Sequence, residues 1–324
     1  MSADAGWMGV AIALSTRTRA LSMPNPNVGC VIVKDGRVVG RGWTQAGGRP
    51  HAEAMALCEA GVQAHGATAY VSLEPCAHAS PRGPSCAGLL CIAGVARVVI
   101  GIADPDPRTN GKGIAALRSA GVAAETGVMA VAAAAAMAGW LMQRSAGRPF
   151  VTLKLATSLD GCIAVSSGES RWITGEAARA HGHLERARSN LIVVGRGTHG
   201  ADQPRLNVRL AGLEQRSPAV ALLSHSPTAP GGWHVFDGPR AIIGHPAHYL
   251  LIEGGAGAAA AFLGADLVDR LLLYRAPILI GGGKPCLRDI GLTSLAEAHG
   301  RWWRADERQL GDDRLEVYER LRGD

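Results

Sequence analysis

One histidine and two cysteines in the sequence have residue types and spacing that suit a metal ion. His51 stands two positions before Glu53, and Cys76 and Cys86 follow along the chain. Zinc prefers a tetrahedral set of nitrogen and thiolate sulfur ligands, and a catalytic zinc site leaves the fourth position to water. One histidine and two cysteines supply such a three-ligand set. The pattern therefore predicts a catalytic zinc ion bound by His51, Cys76 and Cys86.

Glu53 is the candidate catalytic residue beside this metal. The order His-x-Glu, then Pro-Cys, then a second Cys is typical of zinc-dependent deaminases, in which the glutamate moves protons and does not bind the metal. Zinc lowers the pKa of a bound water toward about 7. Glu53 is expected to take a proton from that water and to deliver one to the departing ammonia.

The predicted elements around these residues would position them. A helix is predicted over residues 51–61, directly after Pro50, which suits a first helical turn. Cys76 follows a predicted strand at 69–73, and Cys86 opens a predicted helix at 86–93. A helix N-terminus lowers the pKa of a thiol and so favours metal binding by the thiolate.

Two other interpretations of the motif stay open at this point. A structural zinc site would need a fourth ligand, for which Cys91 and His78 are the candidates, although Cys91 is predicted in mid-helix at a poor chelating offset from Cys86. Alternatively, the two cysteines belong to the core and the histidine is unrelated. Three other cysteines are expected to be small buried hydrophobes: Cys30, Cys58 and Cys162.

Composition narrows the class of protein. The chain has 324 residues, of which 47% are hydrophobic and 19% charged, as in a globular protein with more than one core. The net charge of +6 favours an anionic ligand, whereas the lack of a Lys/Arg run with interleaved aromatics disfavours nucleic acid. The odd count of seven cysteines does not suggest a secreted disulfide framework. With no recognisable signal peptide or membrane span, a cytoplasmic protein is expected.

The pattern of predicted elements indicates two domains. Helix-like and strand-like stretches alternate in the first half, including a hairpin at the Asp35-Gly36 pair, which indicates a layered α/β domain. An Ala-rich helix and a Ser-Ala-Gly-Arg-Pro linker then precede a second α/β pattern. We therefore predict domains at residues 1–146 and 147–324.

Several motifs of the first half resemble one enzyme family. They are PNPNVG at 24–29, EPCAH at 74–78, an unusually long stretch between the two cysteines at 77–85, and ADPDPRTNGKG at 103–113. Together they resemble the deaminase half of the bifunctional riboflavin-biosynthesis deaminase/reductase family, which implies a cytidine-deaminase-like fold. The family's substrate is a diaminopyrimidinone with a ribosylamino 5-phosphate, an acidic ligand that agrees with the positive charge. The resemblance places Asn25 near this substrate, although a turn residue between two prolines remains an alternative.

The second half resembles the reductase half of the same family. FVTLKLATSLDG at 150–161 and SGESRWITG at 167–175 are similar to its motifs, which implies a dihydrofolate-reductase-like α/β fold and NADPH as cofactor. The resemblance implies these cofactor contacts: Ala156, Trp172, Thr198, Asp202, Ser224, Gly255, Ala256, Gly257, Ala258, Ala259, Ala260 and Ala261. It implies these further substrate contacts: Ser170, Arg186, Leu206, Arg209 and Glu253. Arginine is a natural phosphate ligand because its planar fork binds two oxygens.

The glycine turn after the strand near residue 250 has a second interpretation. Residues 255–260 formally fit a dinucleotide-binding fingerprint of the Rossmann type. That fold would need an acidic residue at the end of the next strand, which instead ends at Tyr274 and Arg275. We therefore interpret the turn as the reductase family's phosphate-binding turn, in which backbone N–H groups face the cofactor.

The resemblance covers nearly the whole chain and implies two successive activities. The first domain would deaminate the pyrimidine ribotide with zinc, and the second would reduce the ribosyl group to ribityl with NADPH; the enzyme is expected to form homo-oligomers. No proton donor for the reduction is obvious, and Lys154 and Asp202 are the nearest candidates. One alternative is a tRNA or nucleoside deaminase with an unrelated appended domain. The other is a deaminase whose reductase domain is impaired, because the segment from 210 to 250 is shorter than in the family.

Overall fold

The structure is a computed structural model that describes residues 2–78, 83–228 and 230–322. Part of the long stretch between Cys76 and Cys86, residues 79–82, thus lies outside the described residues. The chain divides into two compact units, Met1–Ala146 and Gly147–Asp324, called unit 1 and unit 2 below. In the part of the chain that the structure describes, no helix has the length and apolar character that a membrane crossing requires.

Unit 1 is a five-stranded sheet covered by helices on both faces. Its helices are α1 (Ala3–Ser15), α2 (Ala52–Ala60), α3 (Cys86–Ile92), α4 (Lys112–Ser119), α5 (Ala130–Ala136) and α6 (Ala138–Ala146). Its strands are β1 (Gly29–Lys34), β2 (Arg37–Trp43), β3 (Thr68–Leu73), β4 (Arg97–Ile102) and β5 (Ala123–Thr126). The strand order is β2-β1-β3-β4-β5, with β1 antiparallel to both neighbours and β3, β4 and β5 parallel.

The alternation of apolar residues along β1 explains the two cores of unit 1. Cys30 and Ile32 face a core that includes Ala52 and Ala56 of α2, and Val31 and Val33 face a core closed by α1. A strand that is buried on both faces in this way consists of a continuous run of apolar residues. The sheet of unit 1 is therefore a fixed platform for the segments that leave its strands.

Two glycines of β2 allow α2 to pack unusually close to the sheet. A Cβ atom at Gly42 would lie 2.0 Å from the Ala52 carbonyl oxygen, and one at Gly40 would lie 2.1 Å from that of Ala56. Any larger residue would force α2 away from β2. Because α2 begins directly after His51, this close packing fixes the position of the predicted metal ligand.

Unit 2 is built on an eight-stranded sheet with a small two-stranded ribbon. Its strands are β6 (Phe150–Thr157), β7 (Cys162–Ala164), β8 (Leu191–Gly195), β9 (Ala219–Leu223), β10 (His234–Phe236), β11 (Tyr249–Glu253), β12 (Arg270–Arg275), β13 (Lys284–Pro285), β14 (Trp302–Leu310) and β15 (Asp313–Arg320). Its helices are α7 (Glu176–Ala187), α8 (Arg196–Asp202) and α9 (Ala256–Gly264). The order of the large sheet is β10-β9-β8-β11-β6-β12-β15-β14, and β7 pairs with β13.

The parallel part of this sheet brings several chain segments to one edge. Strands β10, β9, β8, β11, β6 and β12 are parallel, whereas β15 is antiparallel to β12 and β14 is antiparallel to β15. α9 packs on one face through Ala258, Ala259 and Phe262, and α7 packs near the other through Ala178. The residues that follow β6, β8, β9 and β11 therefore meet along the carboxyl edge, where ligands of open parallel sheets bind.

The structure differs from the sequence prediction in a few details. The helices predicted at 51–61 and 86–93 are α2 and α3, which are shorter by one residue at one or both ends. Cys30 and Cys162 are buried as predicted, but the prediction for Cys58 is wrong because this residue is exposed on α2. The segment from 210 to 250, expected to be shorter than in the family, contains both β9 and β10. The predicted fold class, two α/β domains, is confirmed.

Candidate active sites

The three predicted metal ligands come together in unit 1. His51 Nδ1 lies 3.3 Å from Cys86 Sγ and 3.7 Å from Cys76 Sγ, and the three atoms all lie within 4.8 Å of one another. Zn–N and Zn–S bonds of about 2.1 and 2.3 Å in a tetrahedron place ligand atoms roughly 3.6 Å apart. The three side chains are therefore close enough to bind one zinc ion together.

The ligand group has the composition of a catalytic zinc site. Among the described residues, no fourth His, Cys, Asp or Glu belongs to the group. Cys91 lies within α3 as predicted, and His78 is 3.5 Å from the Thr109 hydroxyl, so neither completes a closed set. This geometry favours a site with one position available to water over a structural site.

Each ligand is positioned by the end of a regular element. His51 is the N-cap residue of α2, and Cys76 comes shortly after the buried strand β3. Ser85 caps α3 by accepting a hydrogen bond from Gly88 N, which places Cys86 in the first turn. The Cys86 backbone N–H donates to Cys76 Sγ at 3.3 Å and links the two sulfur ligands.

The pKa values of Cys76 and Cys86 are shifted in opposite directions. The hydrogen bond between the Cys86 and Cys76 side chains, together with the contact of Cys76 with His51, lowers the pKa of Cys76 to about 4 against the effect of burial. The same side-chain hydrogen bond, together with burial, raises the pKa of Cys86. Cys76 is thus a thiolate in this arrangement, the form that binds zinc.

Glu53 lies on α2 and faces the metal ligands from the protein interior. Its side chain is almost fully buried, and burial raises its pKa, with a further increase from the neighbouring Cys76 sulfur. A carboxyl group with a raised pKa can both accept and return a proton near neutral pH. A cavity of about 300 Å³ lined by Arg49 and by the metal ligands His51 and Cys86 can admit a small molecule to the ligand group.

Asn25 contacts the metal ligand His51 directly. Its amide nitrogen lies 3.0 Å from His51 Nε2 and donates to the Gly48 carbonyl at 2.8 Å. Since Nδ1 of the same ring faces the sulfurs, Asn25 holds the side of the imidazole that faces away from the metal. Such outer contacts orient a metal-binding histidine. The alternative of a plain turn residue therefore does not describe Asn25 fully.

Sequence reasoning did not identify the role of Glu74, which precedes the Pro-Cys pair. Its buried carboxylate accepts four backbone hydrogen bonds, from the N–H groups of Asp104, Gly111, Gly113 and Ile114. These bonds attach the segment 103–113, one of the motifs of the family, to the chain that carries Cys76. The acidic residue within Glu-Pro-Cys was the available signal, but its partners are distant in sequence.

We expect the Cys86→Ala variant to lose zinc while Cys91→Ala retains it. Both cysteines lie on α3, but only the sulfur of Cys86 belongs to the ligand group. Zinc content of the purified variants, measured by atomic absorption, checks this expectation. Retention of one zinc per chain by Cys86→Ala would contradict the assigned ligand set.

In unit 2 the predicted site residues lie along the carboxyl edge of the parallel sheet. Ala156 is near the end of β6, Glu253 ends β11, Thr198 and Asp202 lie on α8 after β8, and Ser224 follows β9. Gly255 N donates to Thr198 Oγ1 at 2.8 Å, which joins the segments after β8 and β11. Arg171 donates to the Asp202 carbonyl at 2.9 Å and ties the loop that carries Ser170 and Trp172 to the end of α8.

Arg186 and Glu253, both predicted to contact substrate, form a bidentate ion pair with each other. Their two N–O distances are both 2.7 Å, and both side chains are largely buried. Although burial alone would raise the pKa of Glu253, the hydrogen bonds from Arg186 hold it below its usual value. Lys154 is the β6 partner of Glu253 in the sheet, and its ammonium lies 5.7 Å from the centre of the Tyr274 ring.

The start of α9 has the properties of a diphosphate site. A Cβ atom at Gly254 would lie 2.8 Å from Ala258 Cβ, so the glycine lets the turn fold tightly onto the helix. The first N–H groups of a helix have no partner within it and suit an anion. Arg288, which the sequence did not indicate, lies with its guanidinium 3.8 Å from the Cβ position of Gly257. These features fit the phosphates of NADPH.

Several predicted contact residues can meet a ligand only through their backbone. The side chains of Ala258, Ala259 and Ala260 are buried, and those of Ala258 and Ala259 pack in the core under α9. The Leu206 side chain is buried against β8, β9 and β11, with a left-handed backbone at φ 55°. Arg209 and Trp172, by contrast, are exposed, and the Arg179 guanidinium lies 5.0 Å from the Trp172 ring.

The two sites define a zinc-dependent pyrimidine-type deaminase joined to a nucleotide-dependent reductase domain, and comparisons with known proteins agree. Residues 1–102 match the cytidine and deoxycytidylate deaminase zinc-binding region. Residues 149–248 and 243–310 match the RibD C-terminal domain. The chain is 36% identical to the riboflavin biosynthesis protein RibD of Haemophilus influenzae, over 96% of each chain. It is 38% identical to that of Escherichia coli, over 91% of this chain and 94% of the relative.

Solved structures of similar proteins cover both domains of the chain. RibD of Acinetobacter baumannii superposes with a TM-score of 0.87 at 36% identity, covering 98% of this chain and 99% of that one. A diaminohydroxyphosphoribosylaminopyrimidine deaminase/5-amino-6-(5-phosphoribosylamino)uracil reductase of Thermotoga maritima gives a TM-score of 0.87 at 28% identity, with the same coverage. The chain belongs to the RibD family of bifunctional riboflavin-biosynthesis enzymes.

This membership confirms the predicted pair of activities, a hydrolytic deaminase and a reductase, and the predicted cofactors, zinc and NADPH. The alternative of a tRNA or nucleoside deaminase with an unrelated second domain is wrong, because the match to the relatives extends over both domains. The match of the reductase domain gives no indication of an impaired reductase.

Proposed function

We propose that unit 1 deaminates 2,5-diamino-6-(5-phosphoribosylamino)pyrimidin-4-one and that unit 2 then reduces the ribosyl group of the product to ribityl with NADPH. The observation that carries the proposal is the group of His51, Cys76 and Cys86 beside the buried Glu53. The motifs of both halves and the relatives' activities support the choice of substrate. We also propose that the enzyme forms homo-oligomers, as the resemblance implies.

In unit 1, the residues act on a water molecule and on the exocyclic amine of the ring. Zinc bound by the three ligands would supply the Lewis acidity that makes a water nucleophilic near neutral pH. Glu53 accepts a proton as the C–O bond forms and donates one as the C–N bond breaks, so that ammonia leaves. Asn25 keeps the His51 ring in place and, at the edge of the same site, is positioned to contact the substrate.

In unit 2, the protein positions the cofactor and the ring-opened ribose. NADPH supplies the hydride. The backbone N–H groups of Ala256 and Gly257, in the first turn of α9, bind the diphosphate, and the hydrogen bond from Gly255 N to Thr198 Oγ1 holds this turn beside α8. Arg186 holds Glu253 as a carboxylate facing Lys154, and the Lys154 ammonium donates the proton that the reduced carbonyl oxygen requires. Arg209, exposed after α8, is available to the 5-phosphate.

The proposal is tested by giving the purified enzyme the diaminopyrimidine ribotide with NADPH. We expect ammonia release and NADPH oxidation in equal amounts, with the ribitylamino phosphate as product. Ammonia release with NADPH left intact, even with the deaminated substrate, would refute the reductase half. Failure to release ammonia from zinc-loaded enzyme would refute the deaminase half.

A further inference from the structure

Arg196 lies at the carboxyl edge of unit 2, where the cofactor contacts are predicted, but it is not itself one of the predicted contact residues. It is the first residue of α8, and the parallel register pairs Gly195 of β8 with Leu223 of β9, so that Arg196 lies beside Ser224. Its Nε donates to Ser224 Oγ at 2.7 Å. Its terminal nitrogen donates to the carbonyls of Ser226 and Thr228 at 3.2 and 2.7 Å.

The charge of Arg196 is surrounded by neutral acceptors. None of the ion pairs found within 2–78, 83–228 and 230–322 includes it. The Ser224 hydroxyl also accepts from the Ser226 N–H at 3.0 Å, so the guanidinium and a hydroxyl are held together in one small cluster. A guanidinium with hydroxyl neighbours and no carboxylate partner is suited to a phosphate.

The order of strands indicates which phosphate reaches this cluster. Along the edge, the proposed cofactor contacts follow the strand order: Ala156 near the end of β6, Gly255 after β11, Thr198 after β8 and Ser224 after β9. Neighbouring strands are about 4.8 Å apart, so three steps separate the two ends by roughly 14 Å. If the nicotinamide binds beside Lys154 and Ala156 and the diphosphate at the start of α9, as proposed above, the adenosine end would lie over β8 and β9. Arg196 stands at that end.

We propose that Arg196, with the Ser224 hydroxyl, binds the 2′-phosphate of NADPH and makes the reductase prefer NADPH to NADH. This inference rests on the proposed function, since it takes the cofactor's orientation from the site of reduction. The competing explanation is structural: Arg196 would only fasten the loop after β9, in which case both cofactors would depend on it equally.

The Arg196→Gln variant separates these explanations because it keeps a hydrogen-bonding side chain and loses the charge. By isothermal titration calorimetry on the full chain, its affinity for adenosine 2′,5′-bisphosphate should fall by about 10- to 100-fold, the usual effect of a charge-assisted hydrogen bond. Its affinity for adenosine 5′-monophosphate should not change. In steady-state assays with deaminated substrate, KM for NADPH should rise while KM for NADH stays constant.

Two further variants keep the test decisive. Arg196→Lys should retain part of the preference, because it keeps the charge without the fork, and Arg240→Gln, at an exposed arginine of the same unit, should leave both affinities unchanged. Equal losses for both adenosine ligands, or no loss for the 2′,5′-bisphosphate, would overturn the inference. Wild-type enzyme that oxidises neither cofactor would instead count against the reductase assignment itself.

Discussion

The Glu53→Gln variant is expected to lose deaminase activity by at least 10²-fold and up to about 10⁴-fold, the range for removal of a general acid–base group. Glutamine has nearly the same shape but cannot carry a proton between the water and the leaving amine. Because Glu53 does not belong to the ligand group, the variant should bind zinc normally. Ammonia release from the ribotide and zinc content by atomic absorption are the two measurements.

The same helix provides a matched control for this variant. Glu59 also lies on α2, but its exposed side chain pairs with Arg41 on β2. Glu59→Gln should therefore leave ammonia release unchanged. Reduction of the already deaminated substrate should proceed at the wild-type rate in both variants. A Glu53→Gln enzyme that contains zinc and releases ammonia normally would show that another group moves the protons.

The metal site of unit 1 could be predicted because its ligands and its candidate catalytic residue lie in short sequence motifs. His51 and Glu53 lie within one helical turn, and Cys76 and Cys86 each stand at the end of a recognisable strand or the start of a helix. Local rules place each residue at the start of a helix or the end of a strand, and the ligand pattern of zinc deaminases predicts that they lie together. Burial of Glu53, which raises its pKa, depends on the packed core around α2 and could not be derived from the motif.

The contacts of unit 2 were harder to predict because they join distant parts of the chain. Arg186 and Glu253 are 67 residues apart, and each was expected to contact substrate independently. Only the sheet order, which places β8 next to β11 and the end of α7 near both, reveals that they form a pair. Arg196 became interpretable for the same reason, through the register of β8 with β9.

Leu206 shows a different limit of sequence reasoning. The family resemblance predicted that Leu206 contacts the substrate, and a leucine would be expected to do so through its apolar side chain. Its side chain instead fills the core between β8, β9 and β11, and a left-handed backbone leaves only its peptide groups available to a ligand. A non-glycine residue in that conformation carries a strain that surrounding packing must offset. Motif position alone does not tell which part of a residue makes the contact.

We expect the Lys154→Gln variant to reduce kcat of the reductase by about 10²- to 10⁴-fold, the usual effect of losing a proton donor. Of the two candidates for this role, the structure favours Lys154. Its side chain shares a face of the sheet with Glu253 and Ala156, next to the Tyr274 ring, whereas Asp202 lies at the end of α8 and engages Arg171 through its backbone carbonyl. Asp202→Asn should therefore lower kcat much less.

The decisive comparison is between the chemical step and cofactor binding. If Lys154 donates the proton, Lys154→Gln keeps the wild-type affinity for NADPH, measured by fluorescence titration, and kcat alone falls. If Lys154 merely balanced the charge of Glu253, Lys154→Gln would lower kcat only mildly. The reason is that Glu253 would still have Arg186 as a buried ion-pair partner. A large loss in Asp202→Asn together with a mild one in Lys154→Gln would reverse the assignment.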